Sequence, residues 1–435
     1  MNPPDYLFYI GIDRADAKLD ICQLDPDTTR TTDQIIGSKP ESLSQWVSEL
    51  RQQLLNSESG RVAICIEQPC ASVAVFLHQF DFIDLYLVNP KMLKAYRESL
   101  HLAGAKDDRK DANCLALMLS ERYMNLRAWK PDSAEVRRLD FTLRHRRNLV
   151  DQRTALTNQL TAILKDYFPQ ALELTGKELH ARLACDFLMK WPTLAAVSKA
   201  SDQQIRQFYI LHKSHRPSVI AKRIEVIRNA IELTNDQAII RPNVMMVKSL
   251  TNQLNALRGA IEKFDLSIRD LMATNEDAAI FRSLPGAGEA LAPRLLVTLG
   301  SDRSRFESAE SLQCFTGIAP VTKQSGQRRT VHRRYAKYVC PRFQHQGFVE
   351  WVGQTVPRSV WARAYYDQQK EKGVGHWAIL RGLAYKWQRI IFRCWQNREC
   401  YDEQKYLKAL RRAKSPLISR VNAYLNEQAS PEEKT

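Results

Sequence analysis

One run of apolar residues in the middle of the chain constrains its fold most, because it steps by three and four positions without a break. Its members are Val247, Leu250, Leu254, Leu257, Ile261, Phe264, Ile268 and Leu271. Apolar residues at this period form one stripe along a long helix, as in a coiled-coil seam. A looser stripe between Val136 and Tyr167 predicts a second long helix. The two helices could pair within one chain or join two chains, and either arrangement predicts a helical spacer.

The residues before this region follow a different pattern, in which short apolar strands alternate with helices. The predicted elements are an antiparallel hairpin formed by Tyr6–Ile12 and Lys18–Leu24, a helix over Ser42–Leu55, and strands over Val62–Ile66 and Ile83–Val88. Such alternation is typical of an α/β layer around a buried sheet. The layer is expected to end near Pro131, beyond which strand signals nearly vanish.

A chain of 435 residues is long enough for two or three domains. We predict an α/β domain over residues 1–132, a helical coiled-coil spacer and oligomerisation region over 133–275, and a mostly α C-terminal DNA-binding domain over 276–400. Residues 401–435 are expected to form a C-terminal helix and a disordered tail, since they end in a short polar run.

The composition of the chain indicates what kind of partner it binds and in which cellular compartment it is expected. The 64 Lys and Arg residues against 48 Asp and Glu give a net charge of +16, which favours a polyanion such as nucleic acid. The nine cysteines are scattered and contain no C-x-x-C pair, so neither a zinc ribbon nor a disulfide framework is indicated. Without a leader pattern or a long uncharged apolar run, we expect a cytoplasmic, nucleoid-associated protein and no membrane partner.

Four carboxylates stand where predicted elements end or begin. Asp13 and Glu67 close two strands, and Asp108 and Asp111 open a helix on one face, being three residues apart. Acids gathered at one sheet edge repel one another unless cations lie between them, and Mg²⁺ takes oxygen ligands, with Mn²⁺ as a substitute. Two such ions would suit phosphodiester chemistry. Asp108 and Asp111 alone also fit a helix N-cap and a first-turn acid.

The third region carries glycines and cations that suit phosphate. Gly286 and Gly288 lie between two helical segments, like a helix-hairpin-helix, although an ordinary helix connection fits equally. No acid occurs between Thr322 and Gly347. The candidate nucleic-acid-binding cations of that stretch are Lys323, Arg328, Arg329, Arg333, Arg334 and Lys337. Further on, Trp377 and Trp387 are expected in the core.

These motifs together resemble one known family. Its characteristic segments are Tyr9–Asp13, Glu67, Lys106–Ala112, Leu284–Gly300, Phe315–Pro320 and Gln324–Gly326. They resemble the DEDD-type insertion-sequence transposases, which implies an α/β RuvC-like (RNase H-like) N-terminal domain and a serine-bearing C-terminal transposase domain. The family usually has a non-acidic residue at Asp107, and we align the D-x-x-D pair with Asp108 and Asp111.

The resemblance also implies a mechanism and partners. It assigns Ser325 as a nucleophile that joins covalently to DNA, whereas Ser-Gly in a basic loop alone would indicate an ordinary turn. It implies cutting and rejoining of donor and target DNA, guidance by a noncoding bridge RNA, and a homo-oligomer, dimer or tetramer, whose subunits could share an active site. A hydrolytic RuvC-like Holliday-junction nuclease, an actin-like ATPase and a non-catalytic nucleic-acid scaffold are the alternatives. The absence of glycine-rich phosphate loops disfavours the ATPase.

Overall fold

The computed structural model describes residues 6–55, 60–68, 71–100, 108–325, 328–332 and 341–429. For residues 71, 108, 109, 321–325, 328–332, 428 and 429 the description covers the backbone alone. The chain divides into two compact units. Unit 1 comprises Met1–Arg137, Ala279–Leu291 and Thr298–Thr435, and unit 2 comprises Arg138–Ala278 and Ala292–Val297.

A five-stranded mixed sheet forms the N-terminal part of unit 1. Its strands are β1 (Tyr6–Arg14), β2 (Lys18–Leu24), β3 (Thr31–Gly37), β4 (Arg61–Glu67) and β5 (Ile83–Val88), in the order β3-β2-β1-β4-β5. Strands β1, β2 and β3 pair antiparallel, whereas β1, β4 and β5 pair parallel. The predicted hairpin and the two later strands are therefore confirmed. Residues 62–66 of β4 are fully buried, as expected for a central strand covered on both faces.

Helices cover both faces of this sheet. They are α1 (Pro40–Leu55), α2 (Ala71–Leu77), α3 (Pro90–Leu100) and α4 (Asp108–Arg122). On one face Trp46 and Leu50 of α1 pack in a cluster with Ile10 of β1. On the other face Leu115 and Leu119 of α4 pack in a second cluster. Strand alternation sends successive side chains to opposite faces, so β1, β2, β4 and β5 each contribute to both clusters.

Strand β3 was not predicted from the sequence. All its residues except Ile36 are exposed, and it pairs with β2 at one edge of the sheet. An exposed edge strand lacks the apolar alternation that marks a half-buried strand. The sequence therefore carried no signal for it.

Unit 2 contains the two predicted long helices and a group of shorter ones. The helices here are α5 (Ala134–Tyr167), α6 (Ala171–Thr175), α7 (Arg182–Lys190), α8 (Leu194–Ser198), α9 (Asp202–Leu211), α10 (Pro217–Asn229) and α11 (Gln237–Thr274). Helices α5 and α11 contact each other within one chain. Arg146 of α5 donates to Asp265 of α11, and at the other end Leu164 shares a core with Val247. The two long helices thus run antiparallel within unit 2, and the heptad residues Val247, Leu250 and Leu254 pack in a core that includes Phe187 and Leu188 of α7.

The C-terminal part of unit 1 is mostly helical. Its elements are α12 (Ala278–Arg282), α13 (Gly288–Leu299), α14 (Ala309–Phe315), β6 (Val321–Ser325), β7 (Arg328–His332), α15 (Arg342–Thr355), α16 (Val360–Glu371), α17 (His376–Asn397), α18 (Glu403–Arg412) and α19 (Ile418–Ala429). Strands β6 and β7 pair antiparallel, so the expectation that strands vanish after Pro131 was wrong for this hairpin. Trp387 is buried as expected, but Trp377 is 64 % exposed, so its assignment to the core was wrong. No described helix is long and apolar enough to cross a membrane.

A polar joint around Asp132 ties the two parts of unit 1 together. Its Oδ1 accepts hydrogen bonds from the backbone N–H of Ser301 at 3.0 Å and from the Ser301 hydroxyl, and its Oδ2 accepts from Arg305 at 3.1 Å. The neighbouring Gly300 has φ +79°, and a Cβ there would lie 2.1 Å from the Asp132 Oδ2. Glycine is needed at this position both for its conformation and for the close approach.

Candidate active site

Two of the predicted acids lie at the carboxyl ends of neighbouring parallel strands. The printed register pairs Gly11 with Cys65 and Ile12 with Ile66, so Asp13 and Glu67 are the next residues along β1 and β4. Alternation puts Asp13 on the face of Gly11 and Glu67 on the face of Cys65. Cys65 packs in the cluster formed with α4. Both acids therefore belong to the α4 side of the sheet.

The direction of α4 brings its first turn toward the same end of the sheet. Gly11 touches the helix so closely that a Cβ would lie 2.0 Å from the Ala112 carbonyl oxygen and 2.6 Å from the Ala116 nitrogen. After the helix ends, the Tyr123 ring lies 6.0 Å from that of Tyr6, at the start of β1. The helix thus runs antiparallel to β1, and its beginning at Asp108 lies toward the Asp13 end. The side chain of Asp108, and all of Asp107, lie outside the described residues.

Asp111 is held by an arginine that the sequence did not single out. Its carboxylate is buried on α4, and Arg97 of α3 donates to both oxygens, at 2.5 and 2.7 Å. The Asp111 carboxylate raises the pKa of Arg97. The guanidinium offsets one of the negative charges at this end of the sheet. Arg97 precedes Asp111 by 14 residues on another helix, so no local spacing pointed to it.

The donors present at this end of the sheet suit a hard cation. Within the described side chains, no group of three or more His, Cys, Asp or Glu residues is close enough to hold a metal ion. Asp13, Glu67 and Asp111 are among the side chains covered, so these three do not form such a group in this structure. The complete set with Asp108 stays a prediction. Burial and a hydrogen bond with Asp33 raise the pKa of the Cys22 thiol to about 12, and burial also raises that of Cys114. Both thiols are therefore protonated at neutral pH, and carboxylates are the charged oxygen groups at this end of the sheet that could hold a cation.

The predicted serine lies at the tip of the β6–β7 hairpin. Ser325 is the last residue of β6 and pairs with Arg328, the first residue of β7, while Gln324 pairs with Arg329 and Lys323 with Thr330. In this backbone register Arg328 lies directly opposite Ser325, and Arg329 is the next residue along β7. Arg333, Arg334 and Lys337 lie outside the described residues.

The two predicted phosphate-binding glycines have different surroundings. Gly286 has φ +73°, and a Cβ there would lie 2.7 Å from the Gln354 carbonyl oxygen of α15. Its presence is thus explained by packing and by its conformation. Gly288 begins α13 with φ +51°, and a Cβ there would meet nothing within 4 Å. Only the Gly288 side of this turn is open to a ligand.

Two family models match the chain, one at each end of it. A DEDD transposase model of the IS110 type matches residues 10–169, which include Asp13, Glu67, Asp108 and Asp111. A model described as "Transposase IS116/IS110/IS902 family" matches residues 278–367, which include Gly286, Gly288 and Ser325. Residues 170–277, most of the helices of unit 2, lie outside both matches.

Whole-length relatives give the same result. The "Mini-circle putative transposase for IS117" of Streptomyces coelicolor is 27% identical over 93% of this chain and 98% of its own length. The "Insertion element IS110 uncharacterized 43.6 kDa protein" of the same organism is 24% identical over 80% of this chain and 85% of its own. The "Transposase for insertion sequence element IS1111A" of Coxiella burnetii is 22% identical over 74% of this chain and 71% of its own. The chain therefore belongs to the DEDD transposases of the IS110/IS116/IS902 family, enzymes that cut DNA to move insertion sequences.

Proposed function

We propose that this transposase cuts and rejoins DNA to move its insertion sequence, using a site formed by Asp13, Glu67, Asp108 and Asp111. One observation carries the proposal. Asp13 and Glu67 end adjacent parallel strands on the α4 face, and α4 begins at the same end of the sheet. Ligand sites in open α/β sheets lie beyond the carboxyl ends of the strands. We assign this part of the chain to the RuvC-like (RNase H-like) fold.

The four carboxylates would hold Mg²⁺, or Mn²⁺ in its place. When bound, the cation supplies charge stabilisation for the attacking and leaving oxygens of a phosphodiester. The protein's own contribution is positional. Asp13 and Glu67 are fixed by the strand ladder, and Arg97 fixes the Asp111 carboxylate by donating to both oxygens. Because Gly11 lacks a side chain, α4 can lie directly on β1 and bring its acids to the strand ends.

The carboxylate assignment is tested by neutral, isosteric substitutions. Asp13→Asn and Glu67→Gln should each slow cleavage of labelled DNA by about 100-fold or more, because a neutral amide replaces a charged oxygen ligand of the cation. Thermal stability should be kept, because one repelling charge has been removed. Glu49→Gln, at an exposed acid of α1, is the matched control and should cleave normally. Full cleavage by the Asp13→Asn protein would overturn the assignment.

The D-x-x-D alignment has its own test. Asp108→Asn should abolish cleavage and Asp107→Asn should leave it intact. The reverse result would shift the pair by one residue.

We assign the nucleophile to Ser325, on the strength of the family resemblance and its position between paired basic strands. The Ser325 Oγ would form a bond to the scissile phosphorus as the bond from phosphorus to a deoxyribose oxygen breaks. The hydroxyl proton passes to a base, and the broken-bond energy is kept in the phosphoserine ester for rejoining. Lys323, Arg328 and Arg329 would hold the phosphate by charge-assisted hydrogen bonds.

A nicked suicide substrate distinguishes this chemistry from hydrolysis. With the rejoining hydroxyl lost, the wild-type protein should be trapped on DNA through a phosphoserine, whereas a hydrolytic junction nuclease leaves no adduct. Ser325→Ala should lose the adduct and still bind DNA. Thr322→Ala, at the other hydroxyl residue of β6, should trap normally. Mass spectrometry that maps the nucleotide to another residue would refute the serine mechanism.

Guidance by a bridge RNA and action as an oligomer with a shared site complete the proposal. Both are what the resemblance to the family implies. The test is to sequence nucleic acid that copurifies with the protein and to mix Asp13→Asn with Ser325→Ala chains. A single enriched noncoding RNA and recovery of activity in the mixture are the expected results. Copurification of random RNA fragments would remove the guide from the proposal.

A further inference from the structure

The five tryptophans of residues 341–429 are treated by the fold in two different ways. Trp351, Trp361, Trp387 and Trp395 are all fully buried. Each indole N–H donates a hydrogen bond. Trp351 donates to the Pro285 carbonyl and Trp361 to the Tyr401 hydroxyl, while Trp387 donates to the Thr355 hydroxyl and Trp395 to the Gly300 carbonyl. Trp377 is instead 64 % exposed at the start of α17. Its large apolar ring contributes little to the core and is available to a ligand.

Trp377 belongs to a small surface group that we call the aromatic patch, made of Tyr366, His376 and Trp377. The Trp377 ring lies 5.0 Å from the His376 ring, which lies 5.7 Å from the Tyr366 ring. The Tyr366 hydroxyl and the His376 Nδ1 share a hydrogen bond of 2.8 Å, which fixes both rings. Two of the three rings are thus held together by a hydrogen bond, which reduces the entropy that they lose on binding.

The surface beside the aromatic patch is open and basic. Gly373 and Gly375 form the turn between α16 and α17, and a Cβ on either would meet nothing within 4 Å. Lys370 in the last turn of α16 and Lys372 just after that helix are exposed. The intervening Glu371 accepts a hydrogen bond from Arg420 at 2.6 Å, so its charge is already offset. A flat, negatively charged ligand can therefore reach the rings.

We propose that the aromatic patch stacks an unpaired nucleobase of a bound polynucleotide, with Lys370 and Lys372 beside its phosphates. Every base has a π face, so an exposed ring next to cations is the typical platform for a single strand. A protein partner fits less well, because lysine is depleted in the centres of protein interfaces. The proposal rests on the chain binding DNA as a transposase. It does not depend on the carboxylate site or on Ser325.

The test is fluorescence anisotropy on the full-length protein without divalent metal, using a labelled single-stranded DNA, the RNA of the same sequence and the DNA duplex. Trp377→Ala should weaken single-strand binding by about 5- to 150-fold, the effect of losing one stacked base. Trp377→Phe should restore most of it, and the duplex should change little. The single strand that loses affinity, DNA or RNA, identifies the source of the base.

Salt dependence separates stacking from charge. Trp377→Ala should leave the slope of log affinity against log salt unchanged, since no cation is lost. The double variant Lys370→Ala and Lys372→Ala should reduce that slope by about 1.4 for a single strand. Phe141→Ala is the matched control, because Phe141 is also exposed, at 48 %, and its ring lies 6.4 Å from that of His145.

Three results would overturn the proposal. The first is that Trp377→Ala binds both single strands as tightly as the wild type. The second is that Phe141→Ala loses as much single-strand affinity as Trp377→Ala. The third is that Trp377→Ala keeps its affinity but has a lower mass by light scattering, which would make the patch a contact between protein chains. Failure here is distinct from failure of the proposed catalytic site, because the assay contains no metal. Asp13→Asn should bind like the wild type in it.

Discussion

Gly11→Ala tests whether close contact between β1 and α4 builds the active site. The added methyl would lie 2.0 Å from the Ala112 oxygen, 2.6 Å from the Ala116 nitrogen and 2.8 Å from the Leu115 Cβ. Two of these atoms belong to the helix backbone and cannot rotate away. Since carbon atoms pack at about 3.5–4.0 Å, α4 must retreat from the strand by more than about 1 Å.

The size of the effect follows from that displacement. Overpacking of this kind costs about 1–3 kcal/mol, and more where backbone must move. At about 2–4 °C per kcal/mol for a domain of 150–250 residues, the unfolding midpoint should fall by roughly 2–12 °C. The retreat also carries the acids of α4 away from Asp13. A shift of about 1 Å should slow cleavage by about 100-fold.

Circular dichroism melting and cleavage of labelled DNA measure the two effects. Gly259→Ala is the matched control, because Gly259 lies in helix α11 and a Cβ there would meet nothing within 4 Å. Glycine to alanine inside a helix stabilises by about 1 kcal/mol, so this control should melt slightly higher and cleave normally. A Gly11→Ala protein with the wild-type midpoint and rate would show that α4 does not depend on this contact.

Three further outcomes follow from packing and charge. Glu at both Leu257 and Ile261 should cost at least about 2–5 kcal/mol, the loss of one buried isoleucine, and leave the mass by light scattering unchanged. A fall in mass would instead indicate a pair between chains. Arg97→Gln strands the buried Asp111 carboxylate and should cost about 3–5 kcal/mol, partly recovered by Mg²⁺; equal melting with and without Mg²⁺ would contradict the site. Burial lowers the pKa of His345 below its usual value of 6.5. The stability that neutral His345 contributes to the folded state is therefore present above pH 6.5 and is lost as the pH falls toward the pKa of the folded state. In the His345→Gln protein the unfolding midpoint should depend less on pH below about 6.5 than in the wild type. The same pH dependence in both proteins would contradict this role of His345.

The sequence predicted the elements whose residues repeat a burial pattern. Residues 62–66 of β4 are all apolar because both faces of the strand are covered, and Val247, Leu250 and Leu254 of the α11 heptads pack in the core of unit 2. Strand β3 and the β6–β7 hairpin were missed, since an exposed edge and a short basic ribbon bury too little to leave an apolar period. Periodic spacing of apolar residues indicates burial, so elements that bury few residues could not be predicted from it.

For the candidate site, the sequence supplied the acids but not what holds them. Asp13 and Glu67 were identified because they follow apolar strands, a local signal. The need for glycine at Gly11 and the role of Arg97 both depend on contacts between separate elements, which no spacing along the chain encodes. The prediction that Trp377 lies in the core was wrong for a related reason. Its side chain is as apolar as that of Trp387, and only the packing of α17 decides which of them is covered.

The joint at Asp132 has a consequence for how the chain is made. Its partner Ser301 is synthesised 169 residues later, so at roughly 5–20 residues per second the Asp132 carboxylate waits about 8–34 s for its donors. During that interval the ribosome synthesises all of unit 2. The first 137 residues are therefore expected to hold their sheet with helices α1 to α4, before the C-terminal helices exist. Nascent chains arrested before Ser301 are expected to expose Asp132, and unit 1 is completed only at the end of translation.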